Sequence, residues 1–113
     1  MKTSEDGQLL RIFIGESDRG DGKPLYEALV LKAREMGLAG ATMLRGLMGY
    51  GAASRIHTSK ILRLSEDLPV IVEIVDSQEK IASFLLVIDE MVQEGLVTVE
   101  KVHVLLYRHN PDV

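Results

Sequence analysis

Along this chain the apolar positions switch several times between a period of two, which predicts strands, and a period near 3.6, which predicts helices. Leu9 to Ile14 is an apolar run interrupted only by Arg11 and closed by Gly15, and it reads as a strand. Pro24 opens a helix in which Leu25, Leu29, Ala33 and Met36 share one face, and Gly37 stops it. After Gly40, Ala41 to Arg45 predicts a second strand, and Val70 to Val75, broken only by Glu73, predicts a third. Asp76 and Glu79 have capping-box spacing. The helix they open is the best patterned, with Ile81, Phe84, Leu85, Ile88, Met91 and Val92 in register and Gly95 as its stop. Leu96 to Val99 and Val102 to Tyr107 predict a last strand, or a bent pair of strands, with Glu100 and Lys101 at the break.

The order is β-α-β, a long connection, then β-α-β. It predicts a single α+β domain over residues 1–113 with a ferredoxin-like βαββαβ fold, an antiparallel sheet carrying two helices on one face. A small doubly wound α/β fold fits less well, because the second strand passes to the third without a helix. Residues 1–8 read as a polar N-terminal tail. Residues 52–67 read as a long loop, and a loop of that length in a compact domain is usually functional or disordered. The strand before it ends in spaced glycines, Gly46, Gly49 and Gly51, where a backbone or ligand can come close.

Alternation also divides the sheet into two faces. Leu10, Ile12, Ile14, Val70, Val72, Ile74, Val102, Val104 and Leu106 are expected beneath the helices. The other set holds Phe13, Ile71, Val75, Leu105 and Tyr107, with Arg11, Glu73 and His103 among them. The chain has no spare helix to cover so apolar a face, which predicts an oligomer interface containing Arg11, Glu73 and His103.

Composition narrows the function classes. A net charge of −4 argues against nucleic-acid binding, and the absence of cysteine removes disulfides and thiolate chemistry. No apolar stretch reaches membrane-spanning length and the first residues carry no signal-peptide core, so a cytoplasmic protein without membrane insertion is expected. His57, His103 and His109 lack metal-ligand spacing, and no metal is predicted. No Ser-His-Asp or paired-acid arrangement emerges, so no catalytic residue is assigned. Gly20-Asp21-Gly22-Lys23 before a helix has the look of a phosphate loop but fails the full pattern, and a plain turn is the better reading. Arg55, His57 and Lys60 make the long loop locally basic, which suits a phosphate or an acidic partner.

Several segments together resemble one family. These are Gly15-Glu16-Ser17-Asp18, Gly22 to Ala28, Arg45 to Gly51, Ser54 to Ser59 and Asp67 to Asp76. The chain resembles the PII-like (GlnB-like) nitrogen-regulatory signalling proteins, within their branch catalogued as a domain of unknown function, number 190. The resemblance implies a homotrimer whose sheets meet at its centre. It also implies adenine-nucleotide binding in intersubunit clefts, and a long loop (the T-loop) that contacts an unknown target protein. Within that reading Arg45 and Lys101 are the expected phosphate partners with Arg108 secondary to them, Gly46 and Gly49 let the backbone approach a nucleotide beside Tyr50, and the basic Arg55, His57 and Lys60 are the expected loop contacts. The Gly-Lys-rich phosphate turn of PII proteins is reduced here to Gly95 and Lys101, which favours AMP or ADP over ATP. Two other readings stand beside this one. One is a small enzyme using His57 with Glu66 and Asp67 as acid and base, and the other is an interaction module without a ligand.

Overall fold

The computed structural model describes residues 5–51, 56–58 and 67–111. In chain order the elements are β1 (Glu5–Gly15), β2 (Arg19–Gly20), β3 (Lys23–Pro24), α1 (Leu25–Glu35) and β4 (Thr42–Arg45). Then come β5 (Met48–Gly49), β6 (His57–Thr58), β7 (Pro69–Asp76), α2 (Gln78–Met91) and β8 (Leu96–Val104). The main sheet has the order β4-β7-β1-β8 with every neighbouring pair antiparallel. That is the ferredoxin-like arrangement expected from the β-α-β repeat.

The core forms where the two apolar periods meet. Leu10, Ile12 and Ile14 of β1 and Val70, Val72 and Ile74 of β7 point to one side of the central strands. Leu25, Leu29 and Ala33 of α1 and Ile81, Phe84 and Ile88 of α2 close over them. Leu10, Ile12, Leu29, Val72, Ile81 and Phe84 are completely buried. Each large apolar side chain buried in this way contributes about 1.5–3 kcal/mol of transfer free energy. The one buried polar side chain among the described residues is Asp76, whose carboxylate accepts from Ala39 N–H at 2.8 Å and Ser77 N–H at 2.6 Å.

Four details depart from the sequence pattern or sharpen it. Residues 5–8 are not tail: β1 begins at Glu5, and Glu5 to Gln8 pair with Val104 to Lys101 of β8. Glu5 to Gly7 pair with β8 alone, beyond the end of β7, so their side chains need not be apolar. The helix cap lies one residue later than the Asp76–Glu79 spacing suggests. Ser77 caps α2 by accepting from Lys80 N–H, while Asp76 is diverted to the loop at Ala39. Gly20 to Lys23 is a tight hairpin turn, with positive φ at both Asp21 and Gly22.

The largest correction concerns β8, which is one unbroken strand through Glu100 and Lys101 and ends at Val104. Two consecutive charges need no break when each points to a different face. The register sets Val99 opposite Leu10 and Val97 opposite Ile12. Val97 and Val99 therefore lie on the helix side, and Val102 and Val104 lie on the open face, the reverse of the expectation. His103 moves with them to the helix side, and Leu105 to Tyr107 lie beyond the strand.

Candidate functional site

The glycine-rich end of β4 is fixed by Pro69. Gly46 N–H donates to the Pro69 carbonyl at 2.7 Å, which carries the β4–β7 pairing one step past Arg45. A Cβ on Gly46 would lie 2.9 Å from Pro69 Cγ, and one on Gly49 would lie 3.1 Å from it. Neither glycine has a positive φ. Their lack of a side chain is thus explained by close packing on the proline ring. Gly49 pairs with His57 in the short β5–β6 ribbon, and Leu47, Met48, Tyr50 and Ile56 around it are strongly exposed.

Arg45 is not a free cation. Its Nη2 lies 2.5 Å from Glu16 Oε2, and the Glu16 side chain is only 19% exposed. Glu16 is placed by a turn locked to the segment before β7. Its N–H donates to the Leu68 carbonyl at 2.8 Å, and Ser17 N–H donates to Asp67 Oδ1 at 2.9 Å. Gly15 N–H donates to Asp18 Oδ2, and a Cβ on Gly15 would fall 2.7 Å from Asp67 Oδ1. Sequence reasoning missed Glu16 as a partner. The signal was the Gly15-to-Asp18 motif, whose polar residues close a turn and hold a cation. A guanidinium carries five N–H donors, so Arg45 keeps capacity for an anion beyond the Glu16 contact.

The other expected phosphate partners lie elsewhere. Lys101 sits on β8 opposite Gln8, and Arg108 follows the end of that strand, both exposed. β4 and β8 are the two edges of the sheet, three strand spacings or about 14 Å apart. Through Val70, Arg45 is level with Ile14 on β1, whereas Lys101 is level with Gln8, about 20 Å further along that strand. One chain does not bring Arg45 and Lys101 together. Gly46, Gly49 and Tyr50 gather with Arg45 at the β4 end.

The open face of the sheet carries Leu9, Phe13, Leu44, Ile71, Val75, Leu96, Val102 and Val104 by strand parity. At its middle Arg11 binds two carboxylates, Nε to Glu73 Oε2 and Nη1 to Glu100 Oε1, both at 3.0 Å. The hydrogen bond to Glu73 raises the Arg11 pKa against some loss of water, and the Glu100 charge adds to the rise. The sequence pattern hides Glu100 as the third member, because Glu100-Lys101 has the look of a strand break. His103 does not join the cluster. Its Nδ1 faces Asp6 Oδ1 at 3.1 Å on the other side of the sheet. An open depression of about 380 Å³ lies beside the cluster, lined by Leu9, Thr42, Glu73, Val75, Leu106 and Tyr107. Tyr107 Oη donates to the Ala39 carbonyl and holds the C-terminal segment there.

Arg55 and Lys60, and Glu66 of the acid–base alternative, lie outside the described residues. His57 is placed by the β5–β6 pairing, and the Asp67 carboxylate accepts from Ser17 N–H. Among the described residues no group of His, Cys, Asp and Glu is arranged to hold a metal ion, and no helix is long and apolar enough to cross a membrane.

Residues 7–104 match the family DUF190, described as an uncharacterized ACR. A UPF0166 protein of Aquifex aeolicus is 45% identical over 98 residues, covering 87% of this chain and 92% of the relative. A UPF0166 protein of Methanocaldococcus jannaschii is 34% identical over 98 residues, covering 86% and 90%. Among solved structures, CPII, a nitrogen regulatory PII-like protein from Thiomonas intermedia K12 bound to ADP, AMP and bicarbonate, superposes with a TM-score of 0.67. The identity is 14%, and 94% of each chain is covered. The same protein bound to ADP and bicarbonate gives 0.67 at 16% identity, covering 94% of this chain and 95% of that one. At that identity the likeness is one of fold.

Proposed function

Because this chain belongs to the DUF190 family and has the PII-like fold, we propose that it is a homotrimeric regulatory protein that binds an adenine nucleotide between its subunits. In this reading it is a binding protein rather than an enzyme. It works in the cytoplasm, without nucleic acid, metal or membrane insertion, and contacts a target protein through the loop at 52–67.

The observation that carries the reading is the separation of Arg45 from Lys101. Two cations on opposite edges and at different heights of one sheet serve a common phosphate group only when a neighbouring copy supplies one of them. The apolar open face supports the same arrangement, since no helix among the described residues covers it and a second copy of the chain would. ADP and AMP in the CPII structure support an adenine nucleotide as the ligand. With Lys101 as the one cation carried over from the phosphate turn, AMP or ADP should bind at least as tightly as ATP.

Calorimetric titration of the purified chain with AMP, ADP and ATP, followed by product analysis of the same mixtures, tests this. Expected are binding of AMP or ADP, a weaker or equal response to ATP, and no turnover. A clear preference for ATP overturns the phosphate count. Turnover restores the enzyme alternative, and no binding of any of the three leaves the interaction module.

A further inference from the structure

Arg45 and Glu16 meet with unequal exposure and unequal freedom. The Arg45 side chain is 53% exposed and the Glu16 side chain 19%. The backbone that carries the carboxylate is tied down on both sides, Glu16 N–H to the Leu68 carbonyl and Ser17 N–H to Asp67 Oδ1. Gly15 N–H donates to Asp18 Oδ2 at 3.0 Å and Asp18 N–H donates to the Gly15 carbonyl at 3.2 Å, which closes the turn on itself. The start of α1 holds it once more, with Leu25 N–H donating to the Asp18 carbonyl at 2.7 Å. Glu16 is therefore the fixed partner of the pair, and the guanidinium is the one that faces water.

A ligand anion that reaches Arg45 arrives on its exposed side with Glu16 still in place. Expelling Glu16 would take the guanidinium from a carboxylate that has little water of its own. Expulsion is also unnecessary, since five N–H donors can serve two anions at once. Two hydrogen-bond lengths and the guanidinium between them then set the carboxylate about 7 Å from the ligand's first charge. That lies inside the Debye length of about 8 Å at physiological salt, so the two negative charges repel. Asp18 and Asp67 add to the same negative end, with carboxylate oxygens 3.3 Å and 2.7 Å from where a Gly15 Cβ would stand.

We propose that Glu16 sets the charge limit of the ligand: it tolerates a short phosphate group on Arg45 and repels a longer, more highly charged one. This rests on the adenine-nucleotide reading above, and it gives the preference for AMP or ADP a cause on the Arg45 side of the cleft. Each further phosphate brings more charge within reach of the same fixed carboxylate, so the penalty grows from AMP through ADP to ATP. Discrimination of this kind comes from a built-in repulsion and not from an added contact.

The test is calorimetric titration of the full chain with AMP, ADP and ATP, without divalent cations and at about pH 8, where the phosphates are fully charged. It compares the wild-type chain with the neutral variants Glu16→Gln and Glu16→Ala and the charge-keeping Glu16→Asp, each verified by circular dichroism. Expected in both neutral variants is tighter binding of all three nucleotides, with a gain for ATP about threefold larger than the gain for AMP. Glu16→Asp should keep the wild-type ranking. The extra gain for ATP should shrink in about 1 M salt, where the Debye length falls to about 3 Å. Equal gains for the three nucleotides make Glu16 a plain competitor for Arg45 and overturn the charge limit. No gain in either neutral variant, with nucleotide still bound by the wild-type chain, overturns the assignment to Glu16 and leaves the nucleotide reading standing. No binding of any nucleotide to the wild-type chain overturns both.

Discussion

Arg11 and Glu73 stand directly opposite each other on β1 and β7, with Nε and Oε2 3.0 Å apart in the middle of an apolar sheet face. An ion pair there is poor material for a free surface and a good device for fixing how two such faces meet. Its geometry is set by cross-strand register and not by flexible loops.

Glu73→Leu should disturb assembly, because it removes one of the two acceptors that position Arg11. Arg11→Met paired with Glu73→Leu should lie closer to wild type in melting temperature than Arg11→Met alone, which leaves two carboxylates without their guanidinium. Thermal scans of the three variants, each with its mass measured by light scattering, decide this. Additive losses would mean that the pair is not coupled.

Gly46→Ala places a Cβ against the Pro69 ring, and Gly49→Val does the same from the next turn of chain. Either should cost about 1–3 kcal/mol of stability in urea unfolding, the usual range for overpacking. Adding Pro69→Ala should recover part of the Gly46→Ala loss. If the loss appears only in nucleotide affinity, with stability untouched, these glycines serve the ligand rather than the proline.

Ser77→Ala should destabilise the protein by about 1 kcal/mol through loss of the α2 cap. Glu79→Ala should be close to neutral, because the structure assigns the cap to Ser77 and Lys80 N–H without a reciprocal bond from Glu79. Equal losses at both positions would restore the capping box.

The cleft predicts a pattern across subunits. Arg45→Ala and Lys101→Ala should each weaken ADP binding by roughly ten- to a hundredfold, the effect of one charge-assisted hydrogen bond. Glu16→Gln should tighten binding by weakening the competitor that holds Arg45. Mixing the two alanine variants in equal amounts and refolding them together should restore about one cleft in four, since a cyclic ring then contains sites with both cations intact. Calorimetric stoichiometry reads this directly. No recovery would mean that the two cations do not share a site.

Local pattern was enough for the elements and the fold class. The alternation in Leu9–Ile14 and Val70–Val75, and the 3.6-residue spacing of Leu25, Leu29, Ala33 and of Ile81, Phe84, Ile88, each express one face within one element. The β-α-β repeat then left few topologies, and the observed sheet order is one of them. The register of β8 was not legible. Shifting a strand by one residue exchanges its faces, and only pairing with β1 decides which valines meet the helices. That single choice moved His103 off the open face and brought Glu100 to Arg11. Distance in sequence likewise hid Glu16 from Arg45 and Pro69 from Gly46, contacts made only when β1, β4 and β7 stand side by side. The separation of Arg45 from Lys101 has the same origin. Chemistry marks both as cations, and the sheet alone puts them on opposite edges.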